Sequence, residues 1–202
     1  MLFSKTEDIL TACFFSLRAE IQQTTTEELL FRTDSFFTRF LTATLRLVGG
    51  KFLKSTLVPI FKSIDASPPI ETDPLRLDDP GDQKQNTLNL VSLCSTLLNK
   101  LTQALRKINP IIAHILLEVY NQVHDIYPRA ATKSLGAILF LRFIFPAFTQ
   151  PTKYKLVSSC SPALTRRLVI VAKILQCIFN EAVRREEEWI VFAPFVLKNI
   201  ET

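Results

Sequence analysis

Three stretches carry charged residues whose apolar neighbours do not explain them. In EELLFRTDSFFTRF (Glu27 to Phe40), Arg32 stands between the apolar run Leu29, Leu30 and Phe31 and the cap-type residues Asp34 and Ser35. Asp34 or Ser35 suits the N-cap of a following helix, because a short side-chain oxygen accepts an otherwise unpaired backbone N–H. That leaves Arg32 on a turn just outside the helix, anchored by the apolar residues behind it. A guanidinium on such a stalk offers a permanent charge and a planar fork of donors, the equipment for meeting phosphate or carboxylate oxygens. A solvated surface arginine is the plainer alternative.

The second stretch is LGAILFLRFIFPAF (Leu135 to Phe148), apolar throughout except for Arg142. No face of such a helix looks solvent-facing, and a buried unpaired charge costs several kcal/mol. Arg142 must therefore find carbonyls or a carboxylate and act as an internal brace, or else snorkel to the surface near Pro146. The third stretch is TRRLVIVAKILQCIFN (Thr165 to Asn180). At helical spacing Arg166, Lys173, Gln176 and Asn180 fall within about 80° of one another. Leu168, Val171, Ala172, Leu175, Ile178 and Phe179 fill the opposite side. The stripe is either the wet face of a core helix or a docking face for an acidic, hydrogen-bonding surface.

Enzymatic equipment is missing from the sequence. It has no supported Ser-His-Asp or Cys-His arrangement, no glycine-rich phosphate loop and no metal-ligand cluster. The two histidines, His114 and His124, sit in one helix and read as structural. Cys13, Cys94, Cys160 and Cys177 lie far apart, so reduced thiols are expected and a zinc site or disulfide framework is not.

The elements that must position these residues are helical. At 202 residues, with 48% apolar and 21% charged residues and only 4 glycines, the chain has the balance of one globular, all-α domain spanning residues 1–202. A net charge of +5 suits an acidic partner, and the Lys/Arg residues form no tract of the kind nucleic-acid arms carry. The first residues carry Lys5, Glu7 and Asp8 where a signal peptide needs an apolar core. No uncharged apolar run reaches the roughly 18 residues of a membrane span, so a soluble, cytoplasmic chain is expected.

Apolar steps of three and four mark a helix over Thr87–Ile108, ended by Asn109-Pro110, and another over Ile111–Ile126. Ser35–Val48 reads as a helix stopped by Gly49-Gly50, with a second helix over Lys51–Ile64. Ala66–Asp82, with four of the eleven prolines, is the long loop.

Together these segments resemble the catalytic domain of Ras GTPase-activating proteins, most closely the neurofibromin-like branch. LLFRTDS (29–35) is similar to the finger-loop segment, LVGGKFLKSTLVPIF (47–61) to the helix pair after it, and TDPLRL (72–77) to an acidic-Pro-Leu segment. SLGAILFLRFIFPAF (134–148) carries the FLR signature, LVIVAKILQCIFN (168–180) the Lys/Gln-bearing helix, and PFVLKN (194–199) the closing segment. The resemblance implies an irregular helical bundle that binds a GTP-loaded Ras-family GTPase, either stimulating it or, as a non-catalytic scaffold of the same fold, only binding it. It implies that Arg32 is an arginine finger, that Arg142 braces the finger loop, and that Lys173, Gln176, Asn180, Arg166, Phe31 and Leu141 face the partner, supported by Phe140 and Pro146. It further implies no cofactor or metal of its own, since GTP and Mg²⁺ travel with the GTPase, and action in the cytoplasm at the inner membrane surface. A helical adaptor with no GTPase partner would have no use for Arg142. Two positions depart from the pattern: Phe145 replaces a small or amide residue, and Glu186 stands where a lysine is common, with Arg184 or Arg185 able to compensate.

Overall fold

The computed structural model describes residues 2–180 and 187–200. Glu186, Arg184 and Arg185 lie outside the described residues. The elements are α1 (Leu2–Gln23), α2 (Phe36–Asp65), α3 (Gln83–Leu105), α4 (Pro110–Ile126), α5 (Ala131–Gly136), a π-helix (Ala137–Ile144), α6 (Phe145–Thr149), α7 (Pro162–Phe179), α8 (Glu187–Ile190) and α9 (Ala193–Ile200). Short 3₁₀ turns join several of them, and no strand occurs among the described residues.

The chain divides into two compact units. The first takes residues up to Phe52 together with Ile108–Ile144. Here α1 packs on α4 and α4 on α5. Its core gathers Cys13, Leu17 and Ile21 from α1, Phe37, Leu41 and Leu45 from α2, and Ile112, Ile115, Val119 and Val123 from α4. Those spacings of three and four are what one buried face of each helix requires. Asn109 caps α4 by accepting the Ile111 N–H at 2.8 Å, and the Tyr127 hydroxyl donates to the Thr24 carbonyl at 2.9 Å, tying the end of α4 to the end of α1.

The second unit takes Leu53–Lys107 together with the residues from Phe145 onward. In it α7 packs on α3, α6 and α9. The expected long loop is held down by side chains. Asn86 donates to the Glu71 carbonyl at 2.9 Å, Asn89 to that of Pro69 at 2.9 Å and Gln83 to that of Thr72 at 3.0 Å. Arg167 donates to the carbonyls of Ile64 at 3.0 Å and Ser67 at 2.7 Å, tying α7 to the chain where α2 ends.

The expected break at Gly49-Gly50 does not occur: α2 runs unbroken through both glycines and through Pro59. Gly49 is there for proximity and not for a turn. A Cβ on it would sit 2.3 Å from Cζ of Phe143 and 2.9 Å from Cδ1 of Ile112, so only a bare backbone lets α2 approach these side chains. The stretch Pro128–Thr149 is long and apolar enough to cross a membrane by length and composition, yet more than half of it is buried within the protein.

Among the described residues the four cysteines form no disulfide. Burial pushes the Cys13 thiol up to about 11 and Cys94 higher still, so both behave as small apolar core residues. His114 lies edge-on to Phe14 at 5.4 Å and His124 stacks on Tyr120 at 5.6 Å, both exposed on α4.

Candidate functional site

The loop before α2 is fixed from both sides. Ser35 is the N-cap: its Oγ accepts the Thr38 N–H at 3.1 Å, and the Thr38 hydroxyl oxygen accepts the Ser35 N–H at 2.9 Å. This is the reciprocal logic of a capping box, with threonine in the place of the usual Glu or Gln. Asp34, the other cap candidate, instead pairs with Arg39, accepting from Nε at 2.9 Å and from Nη2 at 2.7 Å. The Arg39 hydrogen bond holds the Asp34 carboxyl below its ordinary range. Asp34 is thereby occupied by Arg39.

Arg142 closes the loop from the other side. It lies on the π-helix, half-buried. Its Nε and Nη2 donate to the Phe31 carbonyl at 3.1 and 2.9 Å, and Nη2 also donates to the Thr33 carbonyl at 2.7 Å. The Thr33 carbonyl additionally accepts the Thr38 hydroxyl at 3.0 Å. The residues on either side of Arg32 are therefore clamped through their backbone oxygens, while the Arg32 N–H itself donates to the Leu29 carbonyl at 3.1 Å. Arg142 thus finds carbonyl acceptors for its charge, as its apolar segment requires, and it is half-buried and not enclosed.

Phe31 has φ of 57°, in the left-handed region that a bulky residue adopts only under constraint. Its ring is fully buried and leans on Phe37 at 5.3 Å. The expectation that Phe31 faces a partner is thus corrected: its side chain is a core anchor, and only its carbonyl serves the loop. The strained turn leaves Arg32 exposed, with its side chain hydrogen-bonded or ion-paired to no described residue. Leu141 is half-buried beside Arg142 in the sequence of the π-helix.

The α7 stripe belongs to the second unit. Arg166, Lys173, Gln176 and Asn180 are all half-buried, so this is not a freely solvated face. Arg166 donates Nε and Nη2 to the two Glu71 carboxylate oxygens at 2.7 and 2.9 Å and lies 3.8 Å from Asp73. Its charge is spent on the long loop. Burial pushes the Glu71 carboxyl up, but the Arg166 hydrogen bond and the backbone N–H groups of Asp73 and Thr72 outweigh it and hold the group below its usual value. The Lys173 ammonium sits over the Trp189 ring, 5.1 Å from its centroid. Glu71, Thr72, Asp73, Arg166, Ile170, Lys173 and Trp189 line a small cavity of about 60 Å³. Sequence reasoning placed the stripe but missed Glu71 and Trp189 as its neighbours. Asn180 ends α7, its N–H donating to the Gln176 carbonyl at 2.9 Å. Phe145 is buried and meets Phe179 edge-on at 5.9 Å. Among the described residues no group of His, Cys, Asp or Glu could hold a metal ion.

The family model for RasGAP, the GTPase-activator protein for Ras-like GTPase, matches residues 79–180. The chain belongs to this family. The matched stretch holds Arg142 and the α7 stripe, and the loop bearing Arg32 precedes it. Among similar proteins, a probable Ras GTPase-activating-like protein, ngap, of Dictyostelium discoideum is 27% identical over 179 residues, covering 84% of this chain and 20% of its own length. Ras GTPase-activating protein 2 of Homo sapiens is 27% identical over 164 residues, 79% of this chain and 19% of the relative. The inhibitory regulator protein IRA2 of Saccharomyces cerevisiae is 26% identical over 165 residues, 81% of this chain and 5% of the relative. The chain spans about a fifth or less of the length of these relatives.

Proposed function

We propose that this RasGAP domain binds a Ras-type small GTPase in its GTP state and stimulates hydrolysis by inserting Arg32 into the partner's nucleotide site. One observation carries the proposal: Arg32 is exposed and unpaired among the described residues, while the backbone on both sides of it is clamped by Arg142. Attack of water on the γ-phosphate spreads negative charge over the transferring group and the leaving oxygen. A guanidinium already aimed at that charge stabilises it without reorganising at the moment of reaction. A lysine would supply the charge but not the multi-donor fork. The catalysed reaction belongs to the partner, which brings GTP and Mg²⁺; this chain supplies a catalytic arginine in trans and no cofactor of its own. Lys173, Gln176 and Asn180 contribute docking contacts, with Leu141 beside the brace. Arg166 acts chiefly through Glu71. The domain works in the cytoplasm, at the membrane surface where such GTPases are held.

The test is single-turnover GTP hydrolysis by a panel of Ras-family GTPases with and without the domain. Arg32→Ala is expected to reduce the stimulated rate at least about 100-fold while complex formation persists; fingers of this kind are worth about 10³ to 10⁵, a magnitude that comes from the Ras reaction itself. An unaltered rate for Arg32→Ala refutes the finger. Binding without stimulation by the unmodified domain establishes the scaffold alternative instead.

A further inference from the structure

Phe36, the first residue of α2, is 76% exposed, and its ring stacks on Phe40 with centroids 5.9 Å apart and planes 7° from parallel. At 100° per residue Phe36, Phe40, Ala43 and Leu47 fall within about 60° of one another. Ala43 is exposed and Leu47 is 73% exposed, so this is an outward apolar stripe about three turns long. Scattered exposed apolar residues need no explanation, but a contiguous stripe opened by a stacked aromatic pair does. It also starts at a telling place. Phe36 follows Arg32 by four residues, a chain separation of at most about 14 Å. On the other side of the finger, Leu29 is 47% exposed. From Phe36 to Ile64 this long helix carries no acidic residue, and the one carboxylate beside the start of the stripe, Asp34, is paired with Arg39.

We infer that the Phe36–Phe40 pair is a second contact with the GTPase: an apolar anchor that docks on an apolar patch beside the partner's nucleotide site, bordered by acidic side chains. The inference rests on the arginine-finger proposal, because a guanidinium that enters the nucleotide site draws whatever lies within a few residues of it against the partner's rim. Stacked aromatic rings are suited to anchoring, since they bring a large rigid area at little entropic cost and are enriched among the residues that dominate interfaces. Leu47 lies about 16 Å further along α2 and falls outside that reach. The pair therefore sets affinity and the choice of GTPase, whereas Arg32 sets the rate once docked.

The experiment is single-turnover hydrolysis against domain concentration, together with direct binding to the GTPase loaded with a non-hydrolysable GTP analogue. Phe36→Ala/Phe40→Ala is expected to raise the half-saturating concentration and the dissociation constant about tenfold or more, with the saturated rate kept and thermal stability little changed by the exposed Phe36. Phe36→Trp should restore binding, and Leu47→Ser should leave both quantities unaltered. Arg32→Ala should do the reverse of the double variant, lowering the saturated rate with affinity retained, so failure of the finger and failure of the anchor read out separately. Unchanged binding in the double variant overturns the inference. So does sedimentation with phosphatidylserine-containing vesicles that the double variant abolishes while GTPase binding persists, since the stripe would then face a lipid surface. A domain that binds no GTPase refutes the anchor and the finger together.

Discussion

Replacing Arg142 by alanine separates a positioning role from a merely structural one. The side chain makes three hydrogen bonds, at 3.1, 2.9 and 2.7 Å, to two carbonyls of the loop that carries Arg32. Charge-assisted bonds contribute about 1.5 to 3 kcal/mol each when dry, but two share one acceptor and the site is half open to water. A total of about 2 to 4 kcal/mol follows, and part of it offsets the left-handed conformation of Phe31, which costs on the order of 1 to 3 kcal/mol. Without the brace that strain is released by the loop relaxing. A shift of about 1.4 to 2.7 kcal/mol towards relaxed conformers leaves roughly one loop in ten to one in a hundred competent. The expected outcome is therefore a 10- to 100-fold lower stimulated rate at saturation, milder than Arg32→Ala, with a lower melting temperature and faster amide exchange over residues 30–35. Arg142→Lys should fall between, because a single ammonium cannot hold both carbonyls in the same fork geometry. Single-turnover hydrolysis, thermal melting and hydrogen exchange check this. If Arg142→Ala lowers the melting temperature but leaves the saturated rate at the unmodified value, Arg142 is a stability residue and its assignment as the brace is wrong.

Two further perturbations test packing and charge. Gly49→Ala pushes a methyl into Phe143 and Ile112 and is expected to destabilise by about 1 to 3 kcal/mol, whereas Gly50→Ala, where nothing lies within 4 Å, should be neutral or stabilising by up to about 1 kcal/mol; thermal melting reads both. Glu71→Gln breaks a bidentate pair with a third-exposed Arg166, costing about 1 kcal/mol after allowing for solvent screening. Because the folded Glu71 carboxyl titrates below its ordinary value of 4.5, its stabilisation is complete above that pH and is lost as pH falls through the folded value. The melting difference between the unmodified domain and Glu71→Gln should consequently be largest near neutrality and shrink in acid below about pH 4.5. A difference that stays constant into acid would show that the pair contributes nothing through ionisation.

That Arg142 must meet acceptors was legible in the sequence because a charge in an apolar segment must be compensated somewhere, which holds for any fold. Its acceptors were not, since carbonyls are present at every residue and only the path of the chain brings those of Phe31 and Thr33 to a residue more than a hundred positions away. The glycine pair misled for a related reason. Two adjacent glycines usually end a helix, and the close approach of Phe143 that Gly49 serves leaves no mark in the neighbouring sequence. Helical periodicity likewise gave the direction in which Arg166 points but not what it meets there: Glu71 arrives from the long loop, 95 residues earlier. Phe31 looked partner-facing because it adjoins Arg32, yet its ring is buried in the core, with the backbone at a positive φ.

Departures from ideal backbone geometry converge on the same loop. Among the described residues only Phe31 and Lys155 combine a side chain with a positive φ. A π-helix of eight residues, with its i→i+5 ladder, is rarer still and is tolerated here by the burial of Ile138, Leu139, Phe140, Phe143 and Ile144. The two irregularities meet in one contact, the Arg142 guanidinium on the Phe31 carbonyl. Each is unfavourable by itself, and each lacks any local sequence signal that would require it. Sequences are locally consistent where only folding is at stake and violate the rules where a site demands it. A bundle with no use for Arg32 could relax the turn and regularise the helix, gaining stability on both counts. Strain stored immediately behind an exposed, unpaired arginine is what pre-organising that arginine for a partner requires.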